Sequence, residues 1–436
     1  MKFIKILTAI LLINVSVLSF SQEENKVEPK QEVELEIQLI SEQQPVTDLE
    51  FLEFYKRKVQ TSDKQNSQDI LNSMSTWEKV YPQSAKKEVA LIIKADIYMK
   101  LKKYDFACMN LINHRYFYTT SPYALEVKTY LEQCSHKLNK KLATDLMYIS
   151  KTPKHLEDKT KSHFYLLETL SKVAPKDLYN PLKIEIENFL ATYPTYERND
   201  KLELLFGDLH RENRNYKSAV MQYEKILPFY PDSIYKAASL RLLGDVYAAD
   251  YKDKDQAFVY YRRVIDEYPN SVELPTAYKH MAMVAQDAKD YDVALKVYDE
   301  IIEKYKNNEE ALFSYQQKFN IYKIKKLYSE AINILDDGFE AFSTDDEKGV
   351  KFLVTAANFS ETHLKNLHQS TQYLIKVVET YPSYYNNPKL TYEIAQNYEK
   401  LKDFDSALVY YQKVVDSYSL SPYVKKAQKR IGKIVS

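Results

Sequence analysis

The sequence predicts an all-α fold, a solenoid of about ten helix pairs. Three observations carry this. A large aromatic recurs at Tyr81, Tyr118, Tyr193, Tyr230, Tyr268, Tyr305, Phe342, Tyr381 and Tyr418, at gaps of 37 to 39 residues and one double gap of 75. A small residue keeps the same period at Ala219, Ala257, Ala294, Ala331, Ser370 and Ala407, and Ala107 lies close to three periods before Ala219. Only five glycines occur in 436 residues, which disfavours β-rich folds with tight turns and phosphate-cradling loops, and favours helices.

In chain order, Met1 to Ser21 carries Lys2 and Lys5, an apolar run through Phe20, and small residues at Ser19 and Ser21. This is the layout of a signal peptide, with cleavage expected after Ser21 so that the mature chain begins at Gln22. The run is interrupted by Thr8, Asn14 and Ser16 and is short for a bilayer span, so cleavage is favoured over an uncleaved anchor. No cysteine follows it, which argues against lipoprotein processing. Residues 22–47 hold seven glutamates, two lysines and no aromatic, and read as a disordered acidic linker.

Helix pairs are expected from Asp48 onward. The pair best formed in the sequence runs from Leu240 to Pro269. Its helix A carries Leu240, Leu243, Gly244 and Tyr247, and its helix B carries Ala257, Tyr261 and Val264 before Tyr268-Pro269. The two helices cross closely, so the crossing residues are small: Gly207, Gly244, Ala282 and Ala395 on A, and the alanine series on B. Tyr98, Tyr247, Tyr322 and Tyr398 on A, with Tyr223, Tyr261, Tyr298 and Tyr411 on B, are expected to fill the space between pairs, each ring buried while its hydroxyl reaches water or a carbonyl. Proline after the aromatic, at 82, 194, 231, 269 and 382, stops helix B because it disfavours helix in the residue before it. Residues 48–198 are read as degenerate repeats, with a blurred boundary near His155, and 199–422 as regular ones. Tyr423 to Val435, with Lys425, Lys426, Lys429 and Arg430, reads as a C-terminal capping helix over 423–436. Trp77, the single tryptophan, is expected in core packing.

This pattern resembles the tetratricopeptide repeat family. The resemblance implies a right-handed α-solenoid whose inner groove is lined by helix A residues that flank the crossing. In this sequence those are Lys201, Asp208, Arg211, Arg241, Asp245, Lys279, Gln286, Gln316, Asn320, Lys323, Tyr392 and Gln396. Arg241, Lys279 and Lys323 are expected to project from three consecutive helices A, about one repeat apart. The repeat phrase, of the type A-x-x-x-Y-x-x-V-I-x-x-Y-P-x-S, is similar to exported bacterial proteins of the family, among them envelope coordinators and the β-barrel assembly lipoprotein of the BamD kind.

Chemistry of other classes is not signalled. The eight histidines form no ligand-spaced pair, and no GxSxG, GK[ST] or GxGxxG occurs. No catalytic residue, metal site or cofactor is expected. A formal net charge of zero, with both signs interspersed, gives no hint of nucleic-acid binding. Cys108 and Cys134 fit no metal motif. A buried free pair is the simpler reading, and one disulfide between adjacent helices is the alternative. The function expected is a non-catalytic scaffold for other proteins in the bacterial cell envelope, serving assembly or secretion in the periplasm or at the outer membrane. It would meet the membrane only through envelope partners. The alternative is a module that captures an extended peptide or glycan in the groove.

Overall fold

The computed structural model describes residues 47–81, 84–154 and 157–436. The signal-peptide and linker expectations, apart from Thr47, and the boundaries at Pro82 and His155 lie outside these residues. Thr47 caps the first helix, taking the Glu50 N–H on its hydroxyl while the Glu50 carboxylate returns to the Thr47 N–H.

Twenty-one α-helices and no strand occur among the described residues. They form ten pairs and a final single helix. The chain divides into two compact units, residues 1–194 and 195–436. The first contains α1 (Asp48–Thr61), α2 (Lys64–Val80), α3 (Lys87–Lys100), α4 (Tyr104–Phe117), α5 (Ala124–Leu138), α6 (Lys140–Lys151), α7 (Lys159–Val173) and α8 (Tyr179–Thr192). The second contains α9 (Asn199–Glu212), α10 (Tyr216–Phe229), α11 (Lys236–Asp245), α12 (Lys254–Glu267), α13 (Leu274–Asp287), α14 (Tyr291–Lys304), α15 (Glu309–Ile324), α16 (Tyr328–Phe342), α17 (Asp346–Thr362), α18 (Leu367–Thr380), α19 (Asn387–Lys400), α20 (Phe404–Ser417) and α21 (Tyr423–Val435). Odd-numbered helices are helices A and even-numbered ones helices B.

Local chemistry sets each boundary. Seven helices A, α3 and the odd-numbered ones from α9 to α19, end on a residue in the left-handed conformation, and that residue is neither asparagine nor glycine. It is Lys102, Arg214, Lys252, Lys289, Lys326, Lys365 and Lys402, with Asn307 doing the same after a helix B. The next residue sends its N–H back to close the helix, as Asp290 does to the Ala285 carbonyl at 2.9 Å and Asp403 to Tyr398 at 3.0 Å. Asp253, Asp290, Asn366 and Asp403 then cap helix B with their side chains. Helix B stops at the periodic aromatic. A serine three residues on donates its N–H to that aromatic's carbonyl at Ser84, Ser121, Ser233, Ser271 and Ser421. Its hydroxyl accepts the N–H that opens the next helix A.

Packing in the second unit follows the expected register. Tyr223, Tyr261, Tyr298 and Tyr411 are among the largest fully buried side chains. A Cβ placed on Gly207 would lie 2.3 Å from the Tyr223 ring, and one on Gly244 2.5 Å from the Tyr261 ring. Glycine is therefore present for close approach, not for backbone freedom. Successive helices pack on one another, and alternate helices also touch on the A side, α11 with α13, α13 with α15 and α19 with α21. One irregularity interrupts this. After α11 the chain makes a π-helical turn over Val246–Tyr251, and Asp253 reaches six residues back, to Tyr247, to close it at 2.9 Å. The turn absorbs the extra residue that makes the spacing 38 there.

The first unit is less regular. Strict neighbour packing was expected of a solenoid, yet α4 touches α8 and α6 besides α3 and α5. His163 on α7 sits edge-on between Phe117 of α4 and Phe189 of α8. Trp77 is buried on α2 beside Tyr81. Cys108 and Cys134, both fully buried, are joined as a disulfide between α4 and α5 with their Cα atoms 5.9 Å apart. This corrects the free-pair reading. The spacing of two cysteines does not tell which faces of neighbouring helices meet.

Two outcomes follow from this packing. Gly244→Leu forces a side chain into the Tyr261 ring and lowers stability by about 1–3 kcal/mol. Hydrogen exchange then accelerates across α10 to α13, whereas uniform acceleration from Asp48 to Ser436, or none, contradicts the register. Cys134→Ser lowers the urea stability of the first unit by about 3 kcal/mol, as does reductant on the wild type. Two thiols titrated in the untreated native protein would contradict the disulfide.

Candidate functional site

The burial of helix B tyrosines determines what helix A presents. A buried hydroxyl needs a partner, since leaving it unpaired costs about 1–3 kcal/mol. Tyr223 of α10 donates to Asp208 Oδ1 of α9 at 2.7 Å, and Tyr261 of α12 to Asp245 Oδ1 of α11 at 2.8 Å. Tyr298 of α14 donates to Gln286 Oε1 of α13 at 3.0 Å, and Tyr411 of α20 to Glu399 Oε2 of α19 at 2.9 Å. Three of the four acceptors then reach the next helix A. Asp245 meets His280 Nδ1 of α13 at 2.7 Å, Gln286 donates to Gln317 of α15 at 3.4 Å, and Glu399 pairs with Arg430 of α21. The result is a polar seam on the A side of the second unit.

Its densest part lies at α11. Arg241 binds Asp245 Oδ2 at 2.6 Å and, through Nε, Glu273 at the start of α13. Arg211 of α9 binds Asp250, inside the π-turn, at 3.0 Å. Asp208 and Asp245 occupy the same register, each directly after a crossing glycine, yet they titrate in opposite directions. Burial pushes Asp208 above its ordinary value, and the Tyr223 hydrogen bond and Arg211 only partly oppose it. Burial acts on Asp245 too, but His280 and Arg241, with the Tyr261 hydroxyl, outweigh it and hold the carboxyl low. Asp96 of α3 follows Ala95 at this same register, three repeats earlier. The helix B position that carries tyrosine in the other two repeats is Leu111 there, so no hydroxyl supports the carboxylate. Burial, reinforced by Glu126 of α5 and only partly countered by Lys56 and Lys100, raises Asp96 to about 6.

The sequence-expected residues fall into two groups. Asp208, Arg211, Arg241, Asp245 and Gln286 are drawn into the seam. Lys279 and Lys323 are exposed, with their ammonium groups 4.7 Å from the Phe313 ring and 5.6 Å from the Phe319 ring. Gln316 and Asn320 are half-buried on α15, and Gln396 is exposed on α19. Tyr392 packs between Tyr411 and Tyr423, at 5.5 and 5.4 Å. Lys201 is half-buried at the start of α9, its N–H on Asp200 Oδ1 at 2.7 Å. Sequence reasoning did not name His280, Glu273, Asp250, Gln317 or Glu399, and it read Arg430 only as a charge of the capping helix. Glu399 was within reach as the helix A carboxylate one turn after Ala395. Asp250 was not, because the π-turn moves it off the repeat register.

Residues 232–271, 277–308 and 391–421 match the tetratricopeptide repeat profile. They cover the α11–α12, α13–α14 and α19–α20 pairs, where crossing glycine or alanine and the helix B tyrosine occur together. No curated protein matches the sequence. Similar solved structures include a tetratricopeptide repeat protein from Parabacteroides merdae, at 14% identity and TM-score 0.34, covering 63% of this chain and 100% of that one. PilW, a type IV pilus biogenesis factor, is similar at 12% identity and TM-score 0.32, covering 53% and 97%. The apo form of the quorum sensor NprR from B. thuringiensis is similar at 15% identity and TM-score 0.30, covering 89% and 93%. Likeness this low supports no transfer of function.

The Asp96 shift has a testable sign. Its carboxyl binds a proton more tightly in the folded state than at the model-peptide value of 3.8. The cost of ionising it is absent below 3.8, grows as pH rises, and is complete above about 6. Asp96→Asn therefore stabilises the first unit by roughly 1–2 kcal/mol near neutral pH and by nothing in acid. Urea melts across that range check it, and an equal gain at every pH assigns the effect to something other than ionisation.

Proposed function

We propose that the protein is a non-catalytic scaffold that docks other proteins through the A side of its second unit, after export to the bacterial cell envelope, where it serves assembly or secretion. One observation carries the docking surface. The seam ties up Arg211, Arg241, Asp208 and Asp245 internally, while Lys279 on α13 and Gln316, Asn320 and Lys323 on α15 stand beside it on adjoining helices. Cations and amides at that spacing suit an acidic, extended segment of a partner. Export is supported by the Lys2/Lys5 and apolar layout at the N-terminus and by the Cys108–Cys134 disulfide, which persists in oxidising compartments.

The test is cross-linking and affinity capture from the envelope fraction, followed by affinity measurement with the partner identified. Lys279→Ala, Gln316→Ala, Asn320→Ala and Lys323→Ala combined should weaken binding about tenfold or more, since single exposed contacts contribute only about 0–1 kcal/mol each. The loss should shrink as salt is raised. Arg241→Ala is the wrong probe, because it opens the Asp245–Glu273 network and disturbs the fold. Unchanged affinity in a folded quadruple variant removes the A side as the docking surface, and recovery of the protein only from the cytoplasm removes the envelope role.

A further inference from the structure

α21 begins as the interior helices A do. The Ser421 N–H returns to the Tyr418 carbonyl at 2.8 Å, and the Ser421 hydroxyl accepts the Tyr423 N–H at 3.2 Å. Gly432 lies one period of 37 residues after Ala395, at the register of Gly207 and Gly244. At those two glycines a helix B tyrosine ring occupies the space of the missing Cβ. At Gly432 that space is open, with nothing within 4 Å of a Cβ built there. By register and by its opening turn, α21 is the first helix of an eleventh repeat. No helix B covers it among the described residues.

The surroundings of Gly432 state what would fit. Beside Gly432, and reaching α21 at the neighbouring Ile431, an open groove of about 620 Å³ is lined on α20 by Leu408, Val409, Gln412, Lys413 and Asp416, among others. Val435, one turn beyond Gly432 on the same stripe, is 72% exposed. One and two turns before Gly432, the stripe presents Lys429 and Lys425, both exposed. Residues 422–436 contain no acidic side chain, and Arg430 is already paired with Glu399.

We propose that α20 and α21 form a seat for one amphipathic α-helix of a partner protein, bearing helix B chemistry: a small residue, an aromatic four positions later to fill the space over Gly432, and an acidic flank against Lys425 and Lys429. Charge selects this occupant over a second copy, since pairing two α21 faces would set the same lysines against each other. The seat is separate from the α13–α15 surface proposed above, so either proposal can fail while the other stands.

The probe is a fluorescent peptide with the sequence Tyr291–Lys304, this chain's own α14, stapled into a helix on its polar side. It carries Ala294 and Tyr298, and four acidic against two basic residues. Full-length protein should bind it saturably and more weakly as salt is raised. Gly432→Leu in the protein and Tyr298→Ala in the peptide should each weaken binding about tenfold or more. Gly432→Leu keeps the fold, because an exposed glycine in a helix gains propensity on replacement; an unchanged or higher melting temperature confirms it. No binding, or equal binding by Gly432→Leu or by the Tyr298→Ala peptide, overturns the seat and leaves α21 a solvent-facing cap. A wild-type dimer in sedimentation that Gly432→Leu abolishes, without peptide binding, overturns it in favour of a second copy.

Discussion

The close crossing of helix A and helix B, with a tyrosine ring laid on a glycine or alanine, is the constraint on which the second unit depends. It demands a small residue on one helix and a large one on the other, and it buries the phenol. The hydroxyl must then find an acceptor on helix A, directly beyond the crossing or about a turn further on. A carboxylate or amide there is held in fixed orientation and, where it is charged, needs a cation from the following helix. The polar seam is thus a consequence of apolar packing. Asp208, Asp245, Gln286 and Glu399 are the places where a rule about volume becomes a rule about charge.

Much of the fold was legible for the same reason. A repeating unit must bury the same face each time, so Tyr223, Tyr261, Tyr298 and Tyr411 and the alanines beneath them recur in register and mark themselves. The count of ten pairs and a final helix follows from that ruler. What the ruler missed is non-periodic. The contact of α4 with α8, the disulfide, and the Arg211–Asp250 pair depend on faces or on a register shift that no single repeat specifies. The scarcity of glycine was a guide to helices but a poor one to turns. Left-handed residues close α3 and every helix A from α9 to α19, and lysine or arginine takes the position. A long cation accepts that backbone at some cost and places its charge near the negative end of the helix dipole, an offset that composition alone cannot reveal.

The candidate site was legible only in outline. Helix A positions flanking the crossing were identifiable, but whether each faced a partner or its own neighbours depended on the next helix A. Arg241 shows the difference. As a residue it suits an acidic ligand, but Glu273 and Asp245 close around it. Lys279 and Lys323 lie on aromatic rings that leave the ammonium in water.

The π-turn at Val246–Tyr251 bears on how such an array changes length over time. An extra residue in an α-helix rotates everything after it by about 100°, enough to turn a buried stripe outward. Here the slack is taken up in one wide turn before Lys252. The helix B that follows keeps its phase, with Ala257 and Tyr261 still inward. Helix α17 closes with the same six-residue reach, from Asn366 to Ser360, where the spacing is 39. The ends of helices A are thus points at which a codon can be gained without unstacking the repeats on either side. Repeats of 37, 38 and 39 residues in one chain are what such tolerance leaves behind.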